Sequence, residues 1–203
     1  GDPERRSGQA WLPAAPGDDA GEGEGEAPMN EAVERLLEKL DAQGPPMRTL
    51  AGDAEAEYND QMRRGERAMV AGRYFDAEAR FIAAAVSAPT QPLPRVGQIH
   101  AQMGAGLVRT AATNLRNLFV DHPELIATRY LPTLLPEEAR LVWLRERLEE
   151  MIGLAETPEP ALLMAYLGYQ TGNRELVVFG LDKAQARTPD DPLLPVLRRL
   201  WLD

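Results

Sequence analysis

Cysteine is absent from this chain of 203 residues, which also contains only two histidines and two lysines. The absence of cysteine excludes disulfides, thiolate-bound zinc, iron–sulfur clusters and cysteine nucleophiles. No apolar run approaches the roughly 20 residues that a membrane-spanning helix needs, so we expect no direct membrane insertion. Positive charge is also scarce, because 22 Lys and Arg face 32 Asp and Glu, for a net charge of −10. This balance argues against nucleic acid and anionic membrane surfaces as partners.

Hydrophobic residues nevertheless make up 44 % of the chain, and a chain of this length can bury a sizeable core without disulfides. The chain begins at Gly1, and its first methionine is Met29. Gly1 is either a tag remnant or the new end left by removal of a targeting segment. Together with the lack of cysteine, this start favours an exported, periplasmic or membrane-tethered protein over a cytoplasmic one, but it leaves the compartment open.

The first 46 residues differ in composition from the rest of the chain. Residues 1–28 are acidic and rich in Gly, Pro and Ala, and we expect a disordered tail because they have little apolar surface to offset the entropy of ordering. Residues 29–46 are predicted to form a short amphipathic helix over 29–43 followed by a Pro linker. Its apolar stripe comprises Val33, Leu36, Leu37 and Leu40. This helix is either an extra helix of the solenoid or a fraying appendage, or it is a tethered helix that occupies a groove of the chain or of a partner.

The remaining domain, residues 47–203, contains an internal repeat with a spacing of 34 residues. The first copy comprises Gly72, Tyr74, Ala77, Phe81, Ala84 and Pro89. The second copy comprises Gly106, Val108, Ala111, Leu115, Leu118 and Pro123. A third, less complete copy comprises Gly172, Val177, Leu181, Ala184 and Pro189.

This spacing predicts pairs of helices that are joined by a tight turn. Gly72 and Gly106 can adopt the positive φ of such a turn, and Pro89 and Pro123 end the second helix of each pair. Small alanines let the two helices approach closely, while Phe81 fills the space between them. Each pair leaves an apolar face uncovered, so neighbouring pairs must stack into a solenoid with a concave groove that is lined by the first helices.

The first copy, read from Gly65 to Pro89, resembles the tetratricopeptide repeat. The departures are Gln61 and Arg64 for the usual Trp and Leu, Ile99 for a Gly in the second copy, and Arg174 for an aromatic residue in the third. The resemblance implies an all-α, right-handed helix-turn-helix solenoid of about three to four units that ends in a C-terminal capping helix. The expected units are 58–91, 92–123, a degenerate unit 124–157, 158–191 and the cap 192–203.

The degenerate unit departs from the repeat because of its prolines. Pro132 and Pro136 are expected to shorten or bend its first helix, and Pro136 followed by two glutamates predicts the start of its second helix. The buried stripe of that second helix is expected to comprise Leu141, Leu144, Leu148, Met151 and Ile152. Trp143 lies off this stripe and is either an exposed contact or covered by a neighbouring helix. In the cap, Trp201 is expected to belong to the core.

Sequence motifs of catalysis are missing from the chain. It contains no His-x3-His pair, no Gly-rich phosphate loop, no nucleophile elbow and no EF-hand spacing. His122 is expected at a helix C-terminus, where the helix dipole favours its charged form. His100 has no carboxylate or hydroxyl partner at helical spacing. We therefore predict a protein without enzymatic activity, cofactor or metal site.

The resemblance also implies which side chains contact a partner, since ligands of tetratricopeptide proteins touch a fixed set of positions in each first helix. On this chain those positions are Asn59, Met62, Glu66, Met69 and Val70, then Leu93, Val96, His100, Met103 and Gly104, and finally Glu159, Leu162, Tyr166, Tyr169 and Gln170. The predicted partner-binding residues among them are Met62, Glu66, Met69, His100, Met103, Leu162, Tyr166, Tyr169 and Gln170. Family members that clamp the C-terminal carboxylate of chaperones carry Lys, Asn and Arg there. Because this chain has Met62 and Glu66 instead, we do not expect a carboxylate clamp.

A groove that is rich in Met and Tyr and poor in charge suits an apolar or helical peptide. We therefore expect a non-catalytic scaffold or adaptor that binds another protein or peptide in this groove. The alternative is a structural subunit that forms a homo-oligomer, or is built into a larger complex, through its repeat faces. The same Met and Tyr side chains could instead pack between units, and the sequence leaves both interpretations open.

Overall fold

The computed structural model describes residue 37 and residues 44–52, 57–154 and 156–202. The predicted tail over residues 1–28 lies outside the described residues. Of the helix predicted over 29–43, only Leu37 is described, and it is helical and buried with the hydrophobic core.

The described chain is helical. Between residues 57 and 202 the eight α-helices are α1 Glu57–Val70, α2 Tyr74–Ser87, α3 Leu93–Ala105, α4 Val108–Asp121, α5 Glu138–Leu154, α6 Glu159–Thr171, α7 Arg174–Arg187 and α8 Leu193–Leu202. Two short 3-10 turns, Pro123–Leu125 and Pro132–Leu134, lie between α4 and α5. Within the described ranges there is no strand, only one isolated parallel bridge between Met47 and Tyr130. The all-α prediction is therefore confirmed.

Consecutive helices pack as helix-turn-helix pairs that stack on one another. Helix α2 packs against α1 and α3, α4 packs against α3 and α6, and α7 packs against α6 and α8. The turns at Gly72, Gly106 and Gly172 have φ values of 68°, 82° and 72°, which only glycine adopts readily. This is the solenoid-like arrangement that the repeat spacing predicts, with α8 as its last helix.

The stretch predicted as a degenerate repeat unit differs from a helix pair. It consists of an irregular segment with the two 3-10 turns and then the single helix α5. Because α4 contacts α6 directly, the third pair stacks on the second, and α5 lies beside α3 and α6 as an insertion. Pro123, Pro132 and Pro136 account for the missing first helix, since each lacks the N–H that a helix interior requires.

Helix α5 begins where the sequence predicts. Of its predicted stripe, Leu144, Leu148 and Ile152 are buried, and Leu141 and Met151 are half-buried. Its start is tied to the first two pairs. The backbone N–H of Glu137 donates to Tyr74 Oη at 3.1 Å, and Arg140 Nε donates to the Gly104 carbonyl at 2.9 Å. The Arg140 guanidinium also lies 4.5 Å from the centre of the Trp143 ring. Trp143 is exposed, which is one of its two predicted environments.

The first two pairs meet around the ring of Phe81. A Cβ atom added to Gly65 in α1 or to Gly97 in α3 would lie 2.6 Å from this ring. Phe81 is 1 % exposed, so the ring fills a slot between two helices that approach closely because both are glycine at that point. The predicted role of Phe81 as the filler between helices is confirmed.

Replacement of Gly97 with alanine is expected to lower the free energy of unfolding by about 1–3 kcal/mol, because the new methyl group overlaps the Phe81 ring. Urea unfolding followed by far-UV circular dichroism measures the change. Gly153 in α5 is the control, since nothing lies within 4 Å of its Cβ position. Gly153→Ala should keep or raise stability by up to about 1 kcal/mol. Equal losses in the free energy of unfolding of both variants would contradict the interpretation that the slot around Phe81 constrains packing.

Candidate functional site

The residues predicted to contact a partner lie on the first helices of the three pairs, but their side chains are not open to solvent. Eight of the nine are buried: Met62, Met69, His100, Met103, Leu162, Tyr166, Tyr169 and Gln170. Glu66 is half-buried. Four of them, His100, Tyr169, Gln170 and Glu66, contact two segments of the same chain. These are the irregular residues 123–135, which we call the strap, and residues 44–52, which we call the crossing segment.

On α6, two predicted groove residues hold the backbone of the strap. Tyr169 Oη donates to the Ala127 carbonyl at 2.7 Å. The Gln170 side-chain amide donates to the Thr128 carbonyl at 3.0 Å and accepts the Tyr130 N–H at 3.0 Å. These are backbone contacts of the kind that a groove makes with an extended peptide. In this structure the strap of the same chain takes the place of such a peptide.

The capping helix α8 contacts the strap at one end of the solenoid. Trp201 Nε1 donates to the Ile126 carbonyl at 2.9 Å. Its ring stacks on Tyr169, with ring centres 5.1 Å apart and planes 14° apart. Arg129 of the strap donates to the Tyr169 carbonyl at 3.1 Å. Trp201 is buried, so its predicted place in the core is confirmed.

Beneath the middle of the strap, His100 of α3 lies in a buried aromatic cluster. His100 Nε2 and Tyr166 Oη are 2.7 Å apart and hydrogen-bonded. The Tyr130 ring of the strap meets the imidazole edge to face, with ring centres 5.1 Å apart. The Nδ1 atom of His100 is buried and has no hydrogen-bond partner. The site therefore suits a neutral imidazole.

The environment of His100 shifts its titration strongly. Burial lowers the pKa of His100 to about 4, because the charged imidazolium would lose its hydration. The backbone of Leu134 lies close enough to oppose this shift in part, although it makes no hydrogen bond that satisfies Nδ1. Burial likewise raises the pKa of Tyr166 well above its usual range. Both side chains are thus neutral near pH 7.

The crossing segment covers α1 at the other end of the groove. The Glu66 carboxylate accepts hydrogen bonds from Thr49 Oγ1 at 2.8 Å, from the Leu50 N–H and from the Ala51 N–H at 3.2 Å. Asn59 Oδ1 accepts the Gly52 N–H at 2.7 Å. Glu66 and Asn59 occupy groove positions carried over from the resemblance, and both bind backbone of the same chain.

The crossing segment and the strap also pair with each other. The Met47 N–H donates to the Arg129 carbonyl at 2.7 Å, and the Leu131 N–H donates to the Met47 carbonyl at 3.0 Å. Ile126, Tyr130 and Leu134 of the strap are buried and belong to the hydrophobic core. A partner that contacted the predicted groove residues would have to replace these segments, so partner binding at those residues stays a prediction.

A surface that the sequence analysis missed lies on the outer side of α2. Phe75, Ala79, Ile82 and Val86 are exposed and follow the spacing i, i+4, i+7 and i+11, which places them on one helix face. The exposed fractions of the three large side chains are 65 % for Phe75, 43 % for Ile82 and 76 % for Val86. We call these four residues the outer stripe. The buried residues of α2, Tyr74, Ala77, Phe81 and Ala84, lie on the other side of the helix.

The outer stripe is not a property of the repeat. At the equivalent positions α4 carries Arg109, Thr113, Arg116 and Val120, and α7 carries Glu175, Phe179, Asp182 and Ala186. Only α2 combines apolar residues at all four positions. The signal was present in the sequence, since α2 has a second apolar stripe besides its repeat residues, and comparison of the copies at these outer positions would have found it.

A separate cleft of about 350 Å³ lies between α4, α5 and the start of α6. Its polar lining mixes Arg109, Arg147, Glu150 and Glu159, and Met151 and Leu154 contribute apolar surface. Within the described residues, no three or more His, Cys, Asp or Glu side chains are grouped so that they could share a metal ion. Among the described helices, none is long and apolar enough to cross a membrane.

Comparison of the chain with protein-family models, with curated proteins and with solved structures gives no match. The resemblance to the tetratricopeptide repeat therefore rests on the spacing of the residues quoted above.

Stability is expected to fall as the pH is lowered, because His100 has a lower pKa in the folded chain than in the unfolded chain. The unfolded chain binds more protons between pH 6.5 and about 4, so acid favours unfolding in this window. We expect His100 to account for a loss of about 2 kcal/mol between about pH 7.5 and about pH 5. Urea unfolding at both pH values measures this loss in the free energy of unfolding.

The second histidine provides the control for this pH dependence. His122 is half-buried and lies 3.0 Å from the Glu124 carboxylate, outside the aromatic cluster. His100→Gln should reduce the difference between the free energies of unfolding at the two pH values, whereas His122→Gln should leave most of that difference. The reverse result would contradict His100 as the group responsible.

Proposed function

We propose that this protein is a non-catalytic interaction scaffold that binds another protein through the outer stripe of α2. The observation that carries the proposal is the exposure of three large apolar side chains, Phe75, Ile82 and Val86, on one helix face. An apolar face of this kind on a folded domain is typical of a binding surface. The tetratricopeptide-like pairs would serve as the rigid frame that presents it.

The filled groove supports the choice of the outer stripe over the concave side. Removal of the strap would leave the hydrogen-bonding groups of Tyr169 and Gln170 without their partners and would expose Ile126, Tyr130 and Leu134. Each unsatisfied polar group costs about 1–3 kcal/mol and each large apolar side chain a similar amount. Binding at the outer stripe has no such cost, because that face is already exposed.

Loss of the outer stripe is expected to abolish partner binding without loss of stability. The test compares the full chain with the double variant Phe75→Ser/Ile82→Ser as bait in an extract of the source organism, with captured proteins identified by mass spectrometry. Both side chains are exposed, so the variant should unfold at nearly the same urea concentration as the parent. A partner that the parent retains and the variant loses would support the proposal.

The control replaces exposed valines elsewhere. Val120 and Val142 are 64 % and 54 % exposed and lie on α4 and α5, so Val120→Ser/Val142→Ser removes similar apolar surface outside the outer stripe. This control should retain the partner. If the outer-stripe variant also retains it, the proposal is wrong. If the parent instead sediments as a concentration-dependent dimer and the outer-stripe variant as a monomer, the stripe joins two copies, and the protein is a self-assembling subunit.

A further inference from the structure

We infer that the partner presents an acidic amphipathic helix to the outer stripe. This inference rests on the proposed function, since it names the chemistry of the partner for the same surface. It is carried by a cluster of arginines that borders the stripe in a chain whose net charge is −10.

Four arginine side chains line one open depression of about 600 Å³ between α1 and α2, together with Ala68, Asp76 and Ala79. They are Arg64, Arg67, Arg73 and Arg80, and all four are exposed. Ala79 is itself a member of the outer stripe. The arginine cluster and the apolar stripe are therefore neighbouring parts of one surface.

Carboxylates of the same chain neutralise this cluster only in part. Arg64 pairs with Asp60 at 2.8 Å, and Arg73 pairs with Asp76 at 3.3 Å. Arg80 donates to the neutral side chain of Gln61 at 3.4 Å. Within the described ranges, neither Arg67 nor Arg80 has a carboxylate ion-pair partner. A surplus of positive charge remains beside the stripe, and Asp or Glu side chains of a partner would complement it.

The shape of the apolar part favours a helix as the bound element. The four residues of the outer stripe form a nearly straight row along almost the whole length of α2. A row of this kind is a surface against which another helix can pack. Residues at i, i+4, i+7 and i+11 of the partner would face this row, and acidic residues on one flank of that helix would reach the arginines. The partner is thus expected to be apolar on one face and acidic on one side of it.

Charge also argues against a second copy of this chain as the occupant. In a symmetric antiparallel dimer across the outer stripe, equivalent flanks of the two copies lie on the same side of the interface, so both arginine clusters would lie on that side. The concentration of like charge on one side of the interface opposes that arrangement. The negative charge elsewhere on the chain acts less on a bound acidic helix, because salt screens exposed charges beyond about 8 Å at physiological ionic strength.

The test uses the full chain and two fluorescent model helices of about 18 residues, a length that matches the stripe. Both are Ala-based, with Leu at the four spacings of the outer stripe. One carries Glu at the flanking positions and the other carries Lys at the same positions. Fluorescence anisotropy at about 0.05 M and about 0.5 M sodium chloride gives the dissociation constants. We expect the Glu helix to bind at least about ten times more tightly than the Lys helix in low salt, with a smaller ratio in high salt.

Two matched variants show which charges produce this preference. Arg64→Gln/Arg67→Gln should reduce the ratio to about three or less, whereas Arg145→Gln/Arg147→Gln should leave it unchanged. The control arginines lie on α5, where Arg145 pairs with Glu149 and Arg147 pairs with Glu150. Their replacement therefore removes the same amount of charge from another surface.

The outcomes separate this inference from the proposed function. If both helices bind equally and Phe75→Ser/Ile82→Ser abolishes both, the outer stripe is a binding surface and the inference of an acidic partner is wrong. If neither helix binds, the inference is also wrong, and the capture experiment still decides the proposed function. Tighter binding of the Glu helix that is lost in both the Arg64→Gln/Arg67→Gln and the Phe75→Ser/Ile82→Ser variants would support both.

Discussion

The closure of the concave groove by the chain's own strap is the constraint on which the rest of the structure depends. Tyr169, Gln170 and Trp201 bind carbonyl and amide groups of the strap, and so the irregular backbone keeps its hydrogen bonds where water is excluded. The strap in turn packs its Tyr130 ring against His100 of the first helices. The helix pairs and the strap therefore form one common core.

In this structure the concave side of the helical solenoid is occupied by segments of the same chain. Stacked helix pairs normally leave a concave surface that is available to other molecules. Here Glu66, Asn59, Tyr169 and Gln170 already bind backbone of two other segments of the same chain. Among the second helices of the three pairs, only α2 carries apolar residues at all four positions of the outer stripe.

The helix pairs were predictable because their causes are local. Glycine at 72, 106 and 172 permits the turns, proline ends the second helices, and small residues allow close approach around Phe81. The start of α5 after Pro136 was predictable for the same reason. The degenerate character of 124–157 was also predictable from its prolines, but the placement of α5 was not, because the sequence does not show that α6 would stack directly on α4 and leave α5 outside the stack.

The sequence by itself determined the fold class, the positions of the turns and the set of side chains on the inner faces of the first helices, since these follow from short-range spacing. Only the tertiary structure decided whether those side chains meet solvent or protein. Residues 47 and 130 are far apart in the sequence, and nothing in local spacing encodes their pairing. The contact of buried His100 with Tyr130 is part of that long-range packing.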